Sequence, residues 1–184
     1  MDNGACSYRR FLDGDESAFD EIMKELFDKL VFFIDRYVHD LHAAEDIAID
    51  AFSDLVVNRN RYNFKVSLKT YLFMLGRSRA LNYLKHHKII KLEELEELDR
   101  AKSIEAEELE ETILSNERKR AVNLALLALP DDMRVAVHLV YFEDLSYAEA
   151  AKIMKKSTKQ IDNLLYRAKE KLRITLGKDG ELLI

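Results

Sequence analysis

The sequence has little of what bends, crosslinks or anchors a protein chain. One proline and five glycines among 184 residues favour an all-helical protein with few tight turns. A single cysteine, Cys6, excludes a disulfide framework and a cysteine-based zinc site. The longest apolar runs, such as residues 30–34, are too short to cross a bilayer, and the first residues lack the basic and apolar parts of a signal peptide. We therefore expect a cytoplasmic protein without membrane insertion.

The parts of an enzyme are also missing. There is no glycine-rich phosphate loop and no nucleophile paired with a plausible base. His39 and His42 lie one turn apart and His86 and His87 are adjacent, but neither pair has further ligands nearby in sequence. We predict no enzymatic activity, no catalytic residue, no metal and no cofactor.

Charge occurs in alternating blocks that the net charge of −5 conceals. Residues 59–91 carry nine bases and no acid, and residues 152–178 carry nine bases and two acids. Residues 1–58 have five bases and fourteen acids, and residues 92–117 have two bases and eleven acids, a net charge of −9 in each. A Debye length of about 8 Å does not average such blocks away. The basic blocks indicate two nucleic-acid-binding surfaces, with solvated helix faces as the plainer alternative.

Apolar residues recur at helical spacing in three segments of the first half. They predict a helix over about 16–38, a second helix capped by Asp40 and a third capped by Ser67, with an asparagine-rich loop at 58–63. The inward face of the second helix is predicted to contain Ala44, Ile47, Ala48, Ala51, Phe52 and Leu55. These helices would form a first domain, residues 1–90.

A second domain, residues 118–184, follows an acidic linker at 91–117. Whether the linker imitates the charge of nucleic acid or is only a soluble tether stays open. Pro130 marks a break before a helix over 133–142. Two capping-box patterns then begin a short and a longer helix, Ser146 with Glu149 and Ser157 with Gln160. The buried face of the longer helix is predicted to contain Ile161, Leu164, Leu165, Ala168 and Leu172.

This arrangement predicts an all-α fold of two small helical domains joined by an acidic linker, the C-terminal one a helix-turn-helix. The motifs of both halves resemble those of extracytoplasmic-function sigma factors of bacterial RNA polymerase. In the second half they are Leu126, Leu129, Pro130 and Arg134, then Leu145 to Ala151, then Asn163, Leu165, Arg167 and Ala168. In the first half they are Gly14-Asp15, Ala18-Phe19, Ala44-Glu45-Asp46-Ile47, Ala51-Phe52, Thr70-Tyr71-Leu72 and Ala80-Leu81.

The resemblance, over residues 10–90 and 118–173, implies what the basic blocks do. In such proteins the first domain binds the polymerase clamp and captures an unstacked base of the −10 promoter element, and the second reads the −35 element as a duplex. Core RNA polymerase, promoter DNA and an anti-sigma factor are the expected partners. A free-standing helix-turn-helix regulator is the alternative, and it would not need the first domain.

Capture of a melted strand requires cations along the backbone, amides for base edges and planar groups for stacking. We predict −10 contacts from Arg59, Arg61, Tyr62, Asn63, Lys65, Lys69, Arg77, Arg79, Asn82, Lys85 and Lys88. The alternative for Tyr62 and Phe64 is a role as hydrophobic anchors of the loop. Tyr71 and Ser78 stand where such proteins often have tryptophan and a base-contacting asparagine, so the loop is expected to carry more of the recognition.

Reading of the −35 duplex requires donors and acceptors near the start of the second helix of the helix-turn-helix. We predict −35 contacts from Lys155, Lys156, Ser157, Thr158, Lys159, Gln160, Asn163 and Arg167. Lys159, Gln160 and Asn163 are expected to read bases, and Lys155, Lys156, Ser157 and Arg167 to contact phosphates. A helix cap without DNA contact is the alternative for Gln160.

The outer face of the second helix favours a protein partner. It is predicted to contain Asp46, Ile49, Asp50, Ser53 and Asp54. An exposed isoleucine among carboxylates suits a protein-binding patch, and the resemblance implies that core polymerase docks there. Ile49 stands where glutamine is common, so the contact is expected to be more apolar. A solvated face is the alternative.

Overall fold

The computed structural model describes residues 3–95 and 116–176, and this part of the chain is helical without a strand. The helices are α1 (Asn3–Leu12), α2 (Ser17–Val38), α3 (Leu41–Val57), α4 (Leu68–Leu95), α5 (Asn116–Leu127), α6 (Asp131–Val137), α7 (Tyr147–Met154) and α8 (Thr158–Leu176), with a π-helical turn (His138–Phe142) after α6. The predicted all-α fold is confirmed. Within the described residues, every helix is too short or too polar to span a bilayer.

Helices α2, α3 and α4 pack around one core. The Asp40 side chain caps α3 by accepting a hydrogen bond from the Ala43 N–H at 3.0 Å. All six residues predicted for the inward face of α3 are buried. Gly76 of α4 lies so close to α2 that a Cβ would come within 2.9 Å of Leu30 Cδ1. Glycine therefore permits the close approach of α4 to α2.

Helix α1 was not predicted from the sequence. This helix of ten residues packs against α2 and α4. Its Tyr8 is fully buried and Phe11 nearly so. Only a few apolar residues lie in α1, which is too short a pattern for helical periodicity to be recognised.

The second half contains the expected helix-turn-helix. Ser146 and Glu149 form a complete capping box at the start of α7. Ser157 and Gln160 form the second one: the Ser157 N–H donates to Gln160 Oε1 at 2.7 Å, and the Gln160 N–H donates to Ser157 Oγ at 3.2 Å. Lys155, in the turn, has a left-handed backbone with φ of 54°. Helix α8 buries Ile161, Leu165, Ala168 and Leu172, and Leu164 is half-buried.

Two boundaries differ from the sequence expectation. The helix expected over 133–142 begins at Asp131, directly after Pro130, and continues as the π-helical turn. Helix α4 continues to Leu95, into the segment predicted as linker. Linker residues 96–115 lie outside the described part of the chain.

The two halves contact each other where α4 meets α7. Lys69 Nζ of α4 forms an ion pair with Oε2 of the buried Glu143 at 2.8 Å and donates to its backbone carbonyl at 2.6 Å. The Thr70 hydroxyl donates to Glu149 Oε1 at 3.2 Å. The first helix of the helix-turn-helix therefore lies against the beginning of α4.

His138 lies in the same contact and is buried. Its ring stacks between Phe33 of α2 and Phe142, with centroid distances of 6.2 and 5.8 Å. Burial, with Arg36 and Lys69 nearby, lowers the pKa of His138 to about 4. The imidazole is therefore neutral at neutral pH.

Candidate nucleic-acid interfaces

The loop between α3 and α4 is held by contacts from inside the protein. The buried Tyr8 hydroxyl donates to the carbonyl oxygens of Leu55 at 2.8 Å and Arg59 at 3.3 Å. Asn63 Oδ1 accepts a hydrogen bond at 3.1 Å from the N–H two residues later, an Asx turn. Phe64 has φ of 59°, a left-handed conformation that is costly for a bulky residue and must be stabilised by its surroundings.

Tyr62 differs from the expectation of a DNA contact. Its side chain is only 3% exposed, and its hydroxyl donates to the Val66 carbonyl at 2.7 Å. Its ring packs against the rings of Phe64 at 4.6 Å and Tyr71 at 5.1 Å. A buried ring cannot stack on a base, so the structure gives Tyr62 the anchoring role that was the alternative. Phe64 is half-buried, with the Arg9 guanidinium 4.8 Å from its ring centroid.

Seven of the predicted −10 residues are exposed, and they divide between the loop and the outer face of α4. They are Arg59, Arg61, Asn63 and Lys65 on the loop, and Asn82, Lys85 and Lys88 on α4. They include cations and two amides, the groups needed to follow a strand and to contact base edges.

Three other predicted −10 cations are partly buried. Lys69 is ion-paired with Glu143, and its side chain is 20% exposed. Arg79, with a side chain 32% exposed, lies near Asp50 and Asp54. Arg77 is half-buried and hydrogen-bonds to Tyr37, whose pKa is raised by burial to about 12 although Arg77 acts to lower it. These cations contribute to the electrostatic field, and each also contacts a partner within the protein.

The exposed face of α3 comprises four of the five predicted polymerase-binding residues. Asp46, Ile49, Asp50 and Ser53 are exposed, Ile49 to 51%. Asp54 departs from this group because its side chain is only 8% exposed. Its carboxylate faces the loop, where Arg61 Nη1 donates to both of its oxygens at 3.1 Å.

The outer face of α8 and the turn before it hold the predicted −35 residues. Lys155, Ser157, Thr158, Lys159, Gln160, Asn163 and Arg167 are exposed, and Lys156 is half-buried in an ion pair with Asp132 at 3.0 Å. The side-chain carbonyl oxygen of Gln160 accepts the hydrogen bond that caps α8, so Gln160 has at least the capping role that was the alternative to base reading. Lys159 and Asn163 are one turn apart and share one face of the helix.

Some residues that shape these surfaces gave no sequence signal. Tyr8 acts through two carbonyl groups about fifty residues later, one at the end of α3 and one in the loop. Glu143 and His138 act through contacts with α4 and α2, respectively. Such pairings depend on tertiary packing rather than on local pattern. In the described residues, no three His, Cys, Asp or Glu side chains are grouped so that they could hold a metal ion.

Both halves of the chain match known protein families. The model of Sigma-70 region 2 matches residues 22–89, and that of Sigma-70, region 4 matches residues 119–172. The RNA polymerase sigma-H factor of Pseudomonas aeruginosa is 29% identical over 170 residues, which cover 85% of each chain. The ECF RNA polymerase sigma factor SigW of Bacillus subtilis is 26% identical over 167 residues, covering 87% of this chain and 89% of SigW.

Two solved structures share the fold. The sigma factor RpoE in complex with the anti-sigma factor NepR from Bartonella quintana has a TM-score of 0.62 at 22% identity, covering 88% of this chain and 98% of RpoE. CnrH in complex with the cytosolic domain of CnrY has a TM-score of 0.64 at 17% identity, covering 97% and 99%. With the region 2 and region 4 domains in this order, the chain belongs to the sigma-70 family and is a sigma factor of the extracytoplasmic-function type.

Proposed function

We propose that this sigma factor captures the −10 element with the loop 58–66 and the outer face of α4, and reads the −35 element with α8. The observation that carries this proposal is that the two exposed basic surfaces lie on different domains and have different shapes. The first is an irregular loop with amides and arginines. The second is a regular helix face within a helix-turn-helix.

The −10 loop suits a single strand. Arg59, Arg61 and Lys65 supply cations for phosphates, and Asn63 supplies an amide for a base edge. Because Tyr62 is buried, stacking on an unpaired base would have to come from the half-buried Phe64 or Tyr71. The loop therefore offers polar recognition more readily than aromatic stacking.

Helix α8 suits a major groove. Lys159 and Asn163 lie near its beginning, where side chains reach base edges. Arg167 lies further along the helix and is assigned to the phosphate backbone. Lys155 and Ser157, in the turn, extend the phosphate contacts.

Core RNA polymerase is proposed to dock on the polymerase face of α3, defined here as Asp46, Ile49, Asp50 and Ser53. An exposed isoleucine surrounded by polar side chains is a typical protein contact. The sigma factor would supply no catalytic group and would act in the cytoplasm, where it meets polymerase. RpoE and CnrH were solved with the anti-sigma factor NepR and with the cytosolic domain of CnrY, respectively, and we propose an anti-sigma partner for this chain as well.

The contact between α4 and α7 is proposed to open when promoter DNA is bound. Lys69 is ion-paired with Glu143 across this contact, and α7 lies against the beginning of α4. DNA that approaches the beginning of α4 would compete for this cation.

The test is transcription in vitro. Purified sigma factor is mixed with core polymerase from a matched host and a genomic fragment library. We expect association with the core enzyme and initiation at a discrete set of promoters, both weakened by Ile49→Asp. Absence of association and initiation with the unmodified chain would refute the proposal, whereas tight sequence-specific duplex binding without polymerase would favour a free-standing regulator.

A further inference from the structure

Asp54 occupies a position that neither the polymerase face nor a DNA contact explains. It lies in the last turn of α3, with a side chain only 8% exposed. A carboxylate is rarely so buried unless it is paired. The partners of Asp54 all belong to the −10 surface, defined here as the loop 58–66 together with the basic residues of α4.

Three groups converge on this carboxylate. Arg61 Nη1 donates to both oxygens at 3.1 Å, and Asn58 Nδ2 donates to Oδ1 at 2.5 Å. Arg79 Nη2 lies 3.8 Å from Oδ1, and its other terminal nitrogen lies 3.6 Å from Asp50. Asp54 thus connects the end of α3, the loop and α4.

Arg61 is held at one end but remains available for DNA. Its side chain is 65% exposed although one terminal nitrogen is fixed on Asp54. A guanidinium has five N–H donors in a rigid planar fork, so fixing one nitrogen orients the others. A charge-assisted contact of this kind restricts the rotamers of a long side chain before DNA arrives.

We propose that Asp54 is a positioning residue for −10 recognition and does not dock polymerase. Its carboxylate orients Arg61, and its contacts with Arg79 and Asn58 connect the loop to α4. This inference rests on the proposed role of the loop in −10 capture. The opposite possibility is that Asp54 competes with DNA phosphate for the arginines. That possibility predicts tighter DNA binding when the carboxylate is removed.

The test compares holoenzymes on two duplex promoters that differ only at the captured −10 base. The measured ratio is the rate of open-complex formation on the preferred promoter divided by the rate on the other promoter. For Asp54→Asn we expect this ratio to fall about five- to ten-fold, with the affinity for core polymerase unchanged. Asp28→Asn, the same change at an exposed position of α2, is the matched control and should leave the ratio intact. Arg61→Lys keeps the charge but loses the fork, so it should lower the ratio similarly, and the double variant should be no worse than either single one.

Several outcomes would overturn the inference. Lower core affinity with an intact ratio would make Asp54 a docking residue, and faster, more salt-dependent DNA binding with an intact ratio would make it a competitor of DNA. If Asp54→Asn does not fold, an intact ratio for Arg61→Lys overturns the inference, because the exposed Arg61 tolerates that change structurally. Normal promoter melting by Arg61→Ala would refute the role of the loop itself. A melting defect in Arg61→Ala together with normal behaviour of Asp54→Asn would refute only the role of Asp54.

Discussion

The two basic surfaces carry similar charge but use it differently. On the −10 surface, Arg61 and Arg79 face Asp54, and Lys69 is paired with Glu143. The −35 surface comprises the outer face of α8 and the turn before it. Among its described residues, only Lys156 forms an ion pair, with Asp132. Lys155, Lys159 and Arg167 extend from a regular helix and its turn into solvent.

This difference follows from how each surface is built. A helix positions side chains through its backbone, so α8 needs no acids to aim its cations. An irregular loop lacks a regular hydrogen-bonded backbone, so its side chains must be positioned by tertiary contacts such as those of Asp54 and Tyr8. Internal carboxylates on the −10 surface are therefore part of its construction, although they lower its net field.

The largest expected effect concerns His138, in the contact that joins the two halves. Because the pKa of His138 is lowered from 6.5 to about 4 in the folded state, the unfolded chain binds a proton more readily between these values. Stability is therefore full above pH 6.5 and falls as the pH falls toward 4, by up to about 3 kcal/mol. Urea unfolding at pH 7 and pH 4.5 should show this loss for the wild type but less for His138→Gln. The same pH dependence in both proteins would contradict the assignment to His138.

The next effect concerns the −10 loop. Arg61→Ala or Asn63→Ala should slow open-complex formation on duplex promoters about ten-fold, because each removes a proposed contact to the captured strand. Permanganate footprinting measures the melted thymines directly. Lys24→Ala, at an exposed position of α2 that is not among the predicted DNA contacts, is the control. Normal melting by both loop variants would remove the loop from −10 capture.

A similar or smaller effect is expected at the start of α8. Lys159→Ala should relax the preference at one or two −35 positions by roughly 1–3 kcal/mol, because a base contact discriminates between sequences. Gln160→Ala should do the same but also weaken the cap of α8, since its carbonyl oxygen accepts from the Ser157 N–H. Holoenzyme binding to a randomised −35 library is the measurement. A uniform loss with unchanged preference would show that these residues contact phosphates.

The smallest effect is expected at Arg167. Its replacement by Ala should weaken all promoters alike and lower the slope of log affinity against log salt by about one unit. The same −35 library, examined at two salt concentrations, separates this effect from that of Lys159. A changed sequence preference would make Arg167 a base-reading residue.

How far the sequence determines these surfaces depends on the range of the contacts. The capping boxes at Ser146 and Ser157 and the inward face of α3 are local patterns, and they were predicted correctly. Tyr62 illustrates the limit, because an aromatic residue in a basic loop suits stacking on a base or packing in the core. Tertiary packing against α1 and α4 decides between them. Helical spacing placed Asp54 on the outer face of α3 with the predicted polymerase contacts. In the structure, Arg61 of the loop pairs with Asp54, and the carboxylate is largely buried.

The central claim is that one surface acts on melted DNA and the other on duplex DNA. The most direct measurement compares wild-type, Arg61→Ala and Lys159→Ala holoenzymes on a duplex promoter and on the same promoter with a bubble, mismatched at the captured base. We expect the bubble largely to relieve the defect of Arg61→Ala and to leave the defect of Lys159→Ala unchanged. Equal relief of both defects, or relief of Lys159→Ala alone, would contradict the central claim.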